Sequence, residues 1–230
     1  HEPSQNVGRY KLVRQLIISN GMKPFDIITI GAATRDVFLR SKAIKIIRDA
    51  SFSTGEGECF ALGSKIDVDE IVFETGGGAT NAAVSFARQG LRTSFAGQIG
   101  ATDERGKVVL TALKTEGVDV SVVSRDQKKS TAYSVILLTN RGERTVLVYR
   151  GASADFRTKE FPWPKMKTKW FYVSSLAGKI PILKSIWRHA KRHRAKIAWD
   201  PGAGELALGR EKLMPFLRQT AVLHINQEEA

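Results

Sequence analysis

Only one cysteine, Cys59, occurs in the 230 residues of this chain. A lone thiol excludes an internal disulfide framework and a zinc site built from cysteines, and it fits a reducing, cytoplasmic setting. Long apolar runs are also missing, since no stretch approaches the roughly 20 residues that a membrane-spanning helix needs. The first 21 residues carry charges throughout and no apolar core, so they do not have the pattern of a secretory signal. Met22, followed by Lys23-Pro24-Phe25-Asp26, reads as a native start, and residues 1–21 as an extension or tag remnant. Internal repeats and low-complexity tracts are lacking. Acidic residues are scarce: 23 Asp and Glu stand against 36 Lys and Arg, a formal net charge of +13. That imbalance suits an anionic ligand such as a nucleotide, a nucleic-acid surface, or simply a basic proteome.

What is present is an ordinary globular composition with one unusual stretch. Hydrophobic residues at 42% and charged residues at 26% suffice for a buried core in one domain with an appendage, or in two small domains. The stretch Gly76-Gly77-Gly78-Ala79-Thr80-Asn81 runs directly into the alanine-rich segment Ala82 to Arg88, with Gly90 as its expected stop. Successive glycines let the backbone pass close to a ligand, and free amides at a helix N-terminus favour anionic or hydroxyl oxygens. Asn81, in the first turn, can both donate to and accept from the same ligand. The stretch lacks the Lys-Ser/Thr ending of a Walker phosphate loop and the last small residue of the dinucleotide fingerprint. A ligand site and a plain strand-to-helix turn therefore both remain open readings of the hexamer.

Around it the pattern alternates. Ile27 to Gly31 reads as a buried strand, and its exit from Ala32 to Asp36 lies where open α/β sheets bind ligands. Asp36 is the first carboxylate after that strand, either a ligand group or a helix cap. Thr93 to Ile99 predicts a strand, and Glu104 to Glu116 a helix with Val108, Val109, Ala112 and Leu113 on its apolar face. Strands at Trp170–Val173, Ala195–Asp200 and Val222–Ile225 alternate with helices at Pro181–His193 and Glu211–Leu217, which implies a parallel sheet covered on both faces. Two strand pairs interrupt the alternation: Cys59–Leu62 with Lys65–Phe73, and Ser130–Thr139 with Glu143–Tyr149 across an Asn140-Arg141-Gly142 turn. They predict a small separate sheet near 58–73 and 130–149, with Ile66, Val68, Val135, Leu137, Val146 and Val148 on one apolar face. Such a face would cover a ligand site and pair with a second copy, giving a homodimer. The basic run Arg188, Lys191, Arg192 and Arg194 reads as a solvated helix face, because no aromatic residues interleave with it, and nucleic acid is accordingly not expected as a partner.

From about Asp26 onward the chain resembles the ribokinase-like, or PfkB-type, family of sugar and nucleoside kinases. The resemblance rests on GGGATNAAVSFARQG, on Gly97-Gln98-Ile99-Gly100 with Asp103 and Gly106, and on Glu116-Gly117-Val118. It rests also on Arg141-Gly142-Glu143-Arg144-Thr145, Gly151-Ala152, Asp200-Pro201, and Asn226-Gln227-Glu228-Glu229, all in family order. It implies a three-layer αβα Rossmann-like core over residues 22–230 with a β-sheet lid, and ATP with Mg²⁺ as cofactors. In that family the groups holding the acceptor hydroxyls correspond to Asp36, Gly77, Gly78 and Asn81. Those that place phosphate and Mg²⁺ through ordered water correspond to Asn226 and Glu229. Ribokinases often carry a lysine and an asparagine where this chain has Gly78 and Thr34, a departure from the pattern that goes with ribose. The family's Gly-Ala-Gly-Asp segment, with the catalytic base, is expected beyond Ala230, and Gly202-Ala203-Gly204-Glu205 is not a substitute for it. The implied activity is ATP-dependent phosphorylation of a sugar or nucleoside hydroxyl. The alternative is a sugar- or nucleoside-binding protein without catalysis.

Overall fold

The computed structural model describes residues 23–139 and 141–227. In chain order, β1 (Phe25–Ile30) leads to β2 (Thr34–Arg40), a hairpin of β3 (Lys45–Arg48) and β4 (Glu56–Cys59), and β5 (Glu70–Gly76), which feeds α1 (Gly78–Arg88). Next come β6 (Thr93–Ala96), β7 (Gln98–Gly100), α2 (Glu104–Thr115), β8 (Ser124–Asp126), β9 (Ala132–Leu138) and β10 (Arg144–Tyr149). The chain continues through β11 (Thr168–Val173), α3 (Ile180–His193), β12 (Lys196–Trp199), the single-turn α4 (Ala203–Leu206), α5 (Arg210–Leu217) and β13 (Val222–Leu223).

Five strands form a parallel sheet in the order β13-β12-β11-β1-β6. Ile27 to Ile30 are all buried, as a strand covered on both faces requires. Ile28, Ile30, Phe171, Val173, Ile197 and Trp199 pack against Ile182, Leu183 and Ile186 of α3 and against Leu213 and Phe216 of α5. Because side chains alternate along a strand, Tyr172 points the other way, and there it meets Phe86 of α1 edge to face at 5.6 Å. Helices therefore lie on both sides of the sheet, giving a three-layer αβα core. A second cluster joins Ala79 and Ala83 of α1, Phe95 and Ile99, and Val109, Leu110 and Leu113 of α2. The buried stripe of α2 is thus turned from the predicted one: Val108 is exposed and Leu110 replaces it.

The second sheet has four strands in the order β10-β9-β2-β5. Its composition differs from expectation in two ways. First, β2 joins it: the chain leaves β1 at Gly31 and pairs in parallel with β9 and antiparallel with β5, so Asp36 sits within a strand, opposite Glu74 and Ser134, and not at a helix cap. Second, the run expected over Lys65–Phe73 becomes a strand only from Glu70. Its first half is tied back to the end of β2, where Ser41 Oγ donates to the Asp67 carbonyl at 2.6 Å and Lys42 N–H to Asp69 at 2.7 Å. Ile66 and Val68 consequently lie outside any strand, and the Cys59–Leu62 strand shrinks to the end of β4, which pairs with β3 in a separate hairpin. The Arg141-Gly142 turn joins β9 to β10, with Asn140 outside the described residues, but Val146 and Val148 lie opposite Ile136 and Ser134, so Val135 and Leu137 point to the other face of the sheet and the four do not form the single apolar face expected.

Smaller corrections have local causes. The strand expected over Thr93–Ile99 breaks at Gly97, where a Cβ would stand 2.7 Å from the Gly31 carbonyl oxygen. Asp103 caps α2 by accepting from Gly106 N–H at 2.7 Å, and it also accepts from Thr131 N–H at 2.6 Å and Thr131 Oγ at 3.0 Å. Gly100 leaves room for this clamp, since a Cβ there would come within 1.9 Å of the Asp103 carboxyl. Part of the Gly97–Gly106 motif is thereby explained as a joint that ties α2 to the start of β9. Among the described residues no helix is long and apolar enough to cross a membrane.

Candidate functional site

The parallel strands all end on one edge, and the exits of β1, β11 and β12 line a cleft of about 190 Å³. Ser174 and Ser175 follow β11, Asp200 and Gly202 follow β12, and Gly78 opens α1 on the same wall. The four-stranded sheet supplies the opposite wall through Thr34, Ala132 and Val148, with Arg150 just beyond β10. A cleft at strand C-termini is the usual ligand position in open parallel sheets.

Each glycine of the stretch has its own steric reason. A Cβ on Gly76 would lie 1.9 Å from Asp36 Oδ2, so this residue lets the carboxyl lie against the strand end. Gly77 is the N-cap of α1 with φ at +107°, a conformation that other residues rarely adopt, and a Cβ there would meet the Ala32 carbonyl oxygen at 2.4 Å. A Cβ on Gly78 would press to 3.0 Å from Ser174 Oγ. Thr80 Oγ donates to the carbonyls of Gly76 and Gly77 at 2.6 and 2.8 Å, which pins the entry turn and leaves the first-turn amides of α1 facing outward.

Of the residues expected from the sequence, Gly78 lines the cleft and Asp36 packs beside Gly76. Asp36 Oδ1 is buried without a hydrogen-bond partner among the described residues. A buried carboxyl oxygen in that condition is costly unless something donates to it, and a ligand hydroxyl is such a donor. Asn81 is exposed in the first turn of α1, with its backbone N–H bonded to the Gly77 carbonyl at 3.0 Å. Neither Asn81, Gly77 nor Asp36 forms part of the wall of the 190 Å³ cleft itself. Asn226 follows β13 on the same edge, and Glu229 lies outside the described residues.

Several groups were not anticipated. Ser174 and Ser175 could have been found by extending to β11 the rule that pointed to the exit of β1. Asp200 accepts from Tyr172 Oη at 3.0 Å and lies 3.2 Å from His224 Nδ1, which links the ends of three neighbouring strands. Burial and the adjacent Asp200 carboxyl push the Tyr172 phenol far above its ordinary value. Arg150 reaches the cleft from the side of the four-stranded sheet, a contact that only the pairing of β9 and β10 creates.

Glu205 is fully buried and accepts from Leu176 N–H at 2.7 Å, Gly178 N–H at 2.9 Å, Ser175 Oγ at 2.9 Å and Gly202 N–H at 3.1 Å. With its oxygens committed to shaping the two loops, it has no geometry for taking a substrate proton. The described residues hold no group of three or more His, Cys, Asp or Glu suited to a metal ion.

The chain resembles several known proteins. It is 30% identical over 168 residues to a probable chloroplastic fructokinase-6 of Arabidopsis thaliana, covering 67% of this chain and 43% of the relative. It is 34% identical over 103 residues to an aminoimidazole riboside kinase of Salmonella typhimurium, covering 44% of this chain and 32% of that one. The structure of Arabidopsis thaliana ribokinase complexed with ribose and ATP superposes with a TM-score of 0.65 at 18% identity, over 90% of this chain and 62% of the other, a likeness of fold. The matches thus span less than half of these two sequence relatives. Residues 30–230 match the model of the pfkB family of carbohydrate kinases, and the chain belongs to that family.

Proposed function

We propose that this chain carries the acceptor-binding part of a kinase that transfers a phosphoryl group from ATP, with Mg²⁺, to a hydroxyl of a sugar or nucleoside. The observation that carries this reading is the buried, unpartnered Oδ1 of Asp36 beside Gly76, next to the glycine entry of α1. Two vicinal hydroxyls donating to Asp36, with the Asn81 amide and the first-turn amides of α1 nearby, would orient an acceptor at the strand edge. The four-stranded sheet would close over it and exclude water, which strengthens each of these contacts. Nucleotide phosphate and Mg²⁺ would be held by Asn226 and Glu229 through water, as suits a donor set with one neutral amide; ATP supplies the transferred group. The fructokinase, riboside kinase and ribokinase relatives support an alcohol acceptor of this class.

The exposed strands of the lid support a homodimer. Val146 and Val148 of β10 are 42% and 52% exposed and share a face of the sheet with Val72 of β5 at 40%, and a second copy of the same sheet would cover them.

Thermal melts against pentoses, hexoses and nucleosides test the acceptor class, since only a ligand that prefers the folded state raises the melting temperature. Against an acceptor so found, Asp36→Asn removes charge-assisted bonds worth about 1.5–3 kcal/mol each. Affinity should fall roughly tenfold to a hundredfold. Unchanged affinity would remove Asp36 from the site.

A further inference from the structure

The basic run that the sequence presents as a solvated face borders a groove of about 700 Å³ between α3 and α5, on the layer opposite α1. Lys184, Arg188 and Lys191 stand on its rim at i, i+4 and i+7, a stripe of about 10.5 Å along α3. Lys212 of α5 faces them, and among the described residues no carboxylate lines the groove. Among the described residues none of the four takes part in an ion pair, although ion pairs are frequent elsewhere on this surface. Like charges three and four residues apart on a helix repel, so the stripe costs the free protein stability that an opposite charge would restore. Complementing the α3 dipole explains cations in the last turn, but not Lys184, which lies two turns earlier.

Beneath the cations the groove is apolar. Leu208 and Pro215 are partly open, above Trp187 and Phe216, which are 3% and 5% exposed. Trp187 Nε1 donates to the Phe216 carbonyl at 3.0 Å, which locks the two helices together and holds the groove open at a set width. Single-stranded nucleic acid needs aromatic faces on which bases stack, and here both rings are nearly covered. A helix needs an apolar trough with charges along its edges, which is what α3 and α5 supply.

We infer that the α3–α5 groove is a docking surface for an acidic amphipathic helix of a partner protein. Its apolar side would rest on Leu208 and Pro215, and its carboxylates would meet Lys184, Arg188, Lys191 and Lys212. The surface is separate from the strand-edge cleft, so docking leaves the proposed acceptor site open.

The test uses fluorescence anisotropy of a labelled peptide about four helical turns long, with leucine along one side and glutamate on both flanks. Binding in the micromolar range, or on that order, is expected at low salt and should weaken as salt rises. The double variant Lys184→Glu, Arg188→Glu should lose about tenfold or more in affinity. Its melting temperature should hold or rise, since it relieves like-charge repulsion, and this shows that the loss is not unfolding. Lys114→Glu on α2, away from the groove, should bind as the unaltered protein does. A peptide with serine in place of leucine should bind at least tenfold more weakly. Absence of binding to the unaltered protein, equal loss in Lys114→Glu, or equal affinity for the serine peptide would each overturn the inference. A single-stranded oligonucleotide that binds more tightly, with the same sensitivity to Lys184 and Arg188, would overturn it in favour of nucleic acid.

Discussion

Replacing Asp103 by alanine removes an N-cap and both bonds that tie α2 to Thr131. Loss of the cap costs about 1 kcal/mol. Thr131 is fully buried, so its N–H, left without an acceptor, adds about 1–3 kcal/mol. A total of roughly 2–4 kcal/mol corresponds to a fall of about 5–15 °C in melting temperature for a chain of this size. The pH dependence gives a second reading. Burial raises the Asp103 pKa, but the backbone amides of Thr131 and Gly106, with the Thr131 hydroxyl, outweigh it and hold the group below the usual aspartate value. A carboxyl whose folded-state pKa is depressed stabilises the fold fully above its unfolded value of about 3.9, and that contribution is lost as pH falls through the folded value. The stability gap between the unaltered protein and Asp103→Asn should therefore be constant from neutral pH down to about 5 and narrow on further acidification. Urea unfolding at several pH values measures both quantities. A cost below about 1 kcal/mol for Asp103→Ala, or a gap that widens in acid, would refute the clamp.

Other consequences follow from the same geometry. Gly76→Ala places a methyl group in the space of the Asp36 carboxyl, so acceptor affinity should fall about tenfold or more while the melting temperature drops modestly; calorimetry with the acceptor found by thermal shift measures it. Glu205→Gln leaves at least one of the amide donors of Leu176, Gly178 or Gly202 without its acceptor, and a loss of about 1–3 kcal/mol in urea unfolding is expected. Val146→Lys should shift a lid-mediated dimer to monomer in light scattering, and a particle mass equal in the two proteins would count against that interface.

Much of the core was legible in the residues themselves. Ile27–Ile30, Trp170–Val173 and the α3 stripe of Ile182, Leu183, Ile186, Trp187 and Ala190 carry periodicities that only one environment satisfies, because a strand buried on both faces and a helix with one apolar side leave no other pattern. The glycine stretch allowed a close backbone approach, although a plain strand-to-helix turn was an equal reading of the residues alone. Only the tertiary structure decided what those glycines approach: Asp36 for Gly76, the Ala32 carbonyl for Gly77 and Ser174 for Gly78, each partner 40 or more residues away. It also decided that Thr34–Arg40 is a strand. That segment, with Arg35, Asp36 and Arg40 among its residues, has no apolar alternation to mark it, and it is held in place by the ladders of β5 and β9 on either side. Non-local pairing of this kind lies beyond what local residue order encodes, because its energy comes from partners brought together by folding, and the cleft wall at Arg150 shares that origin.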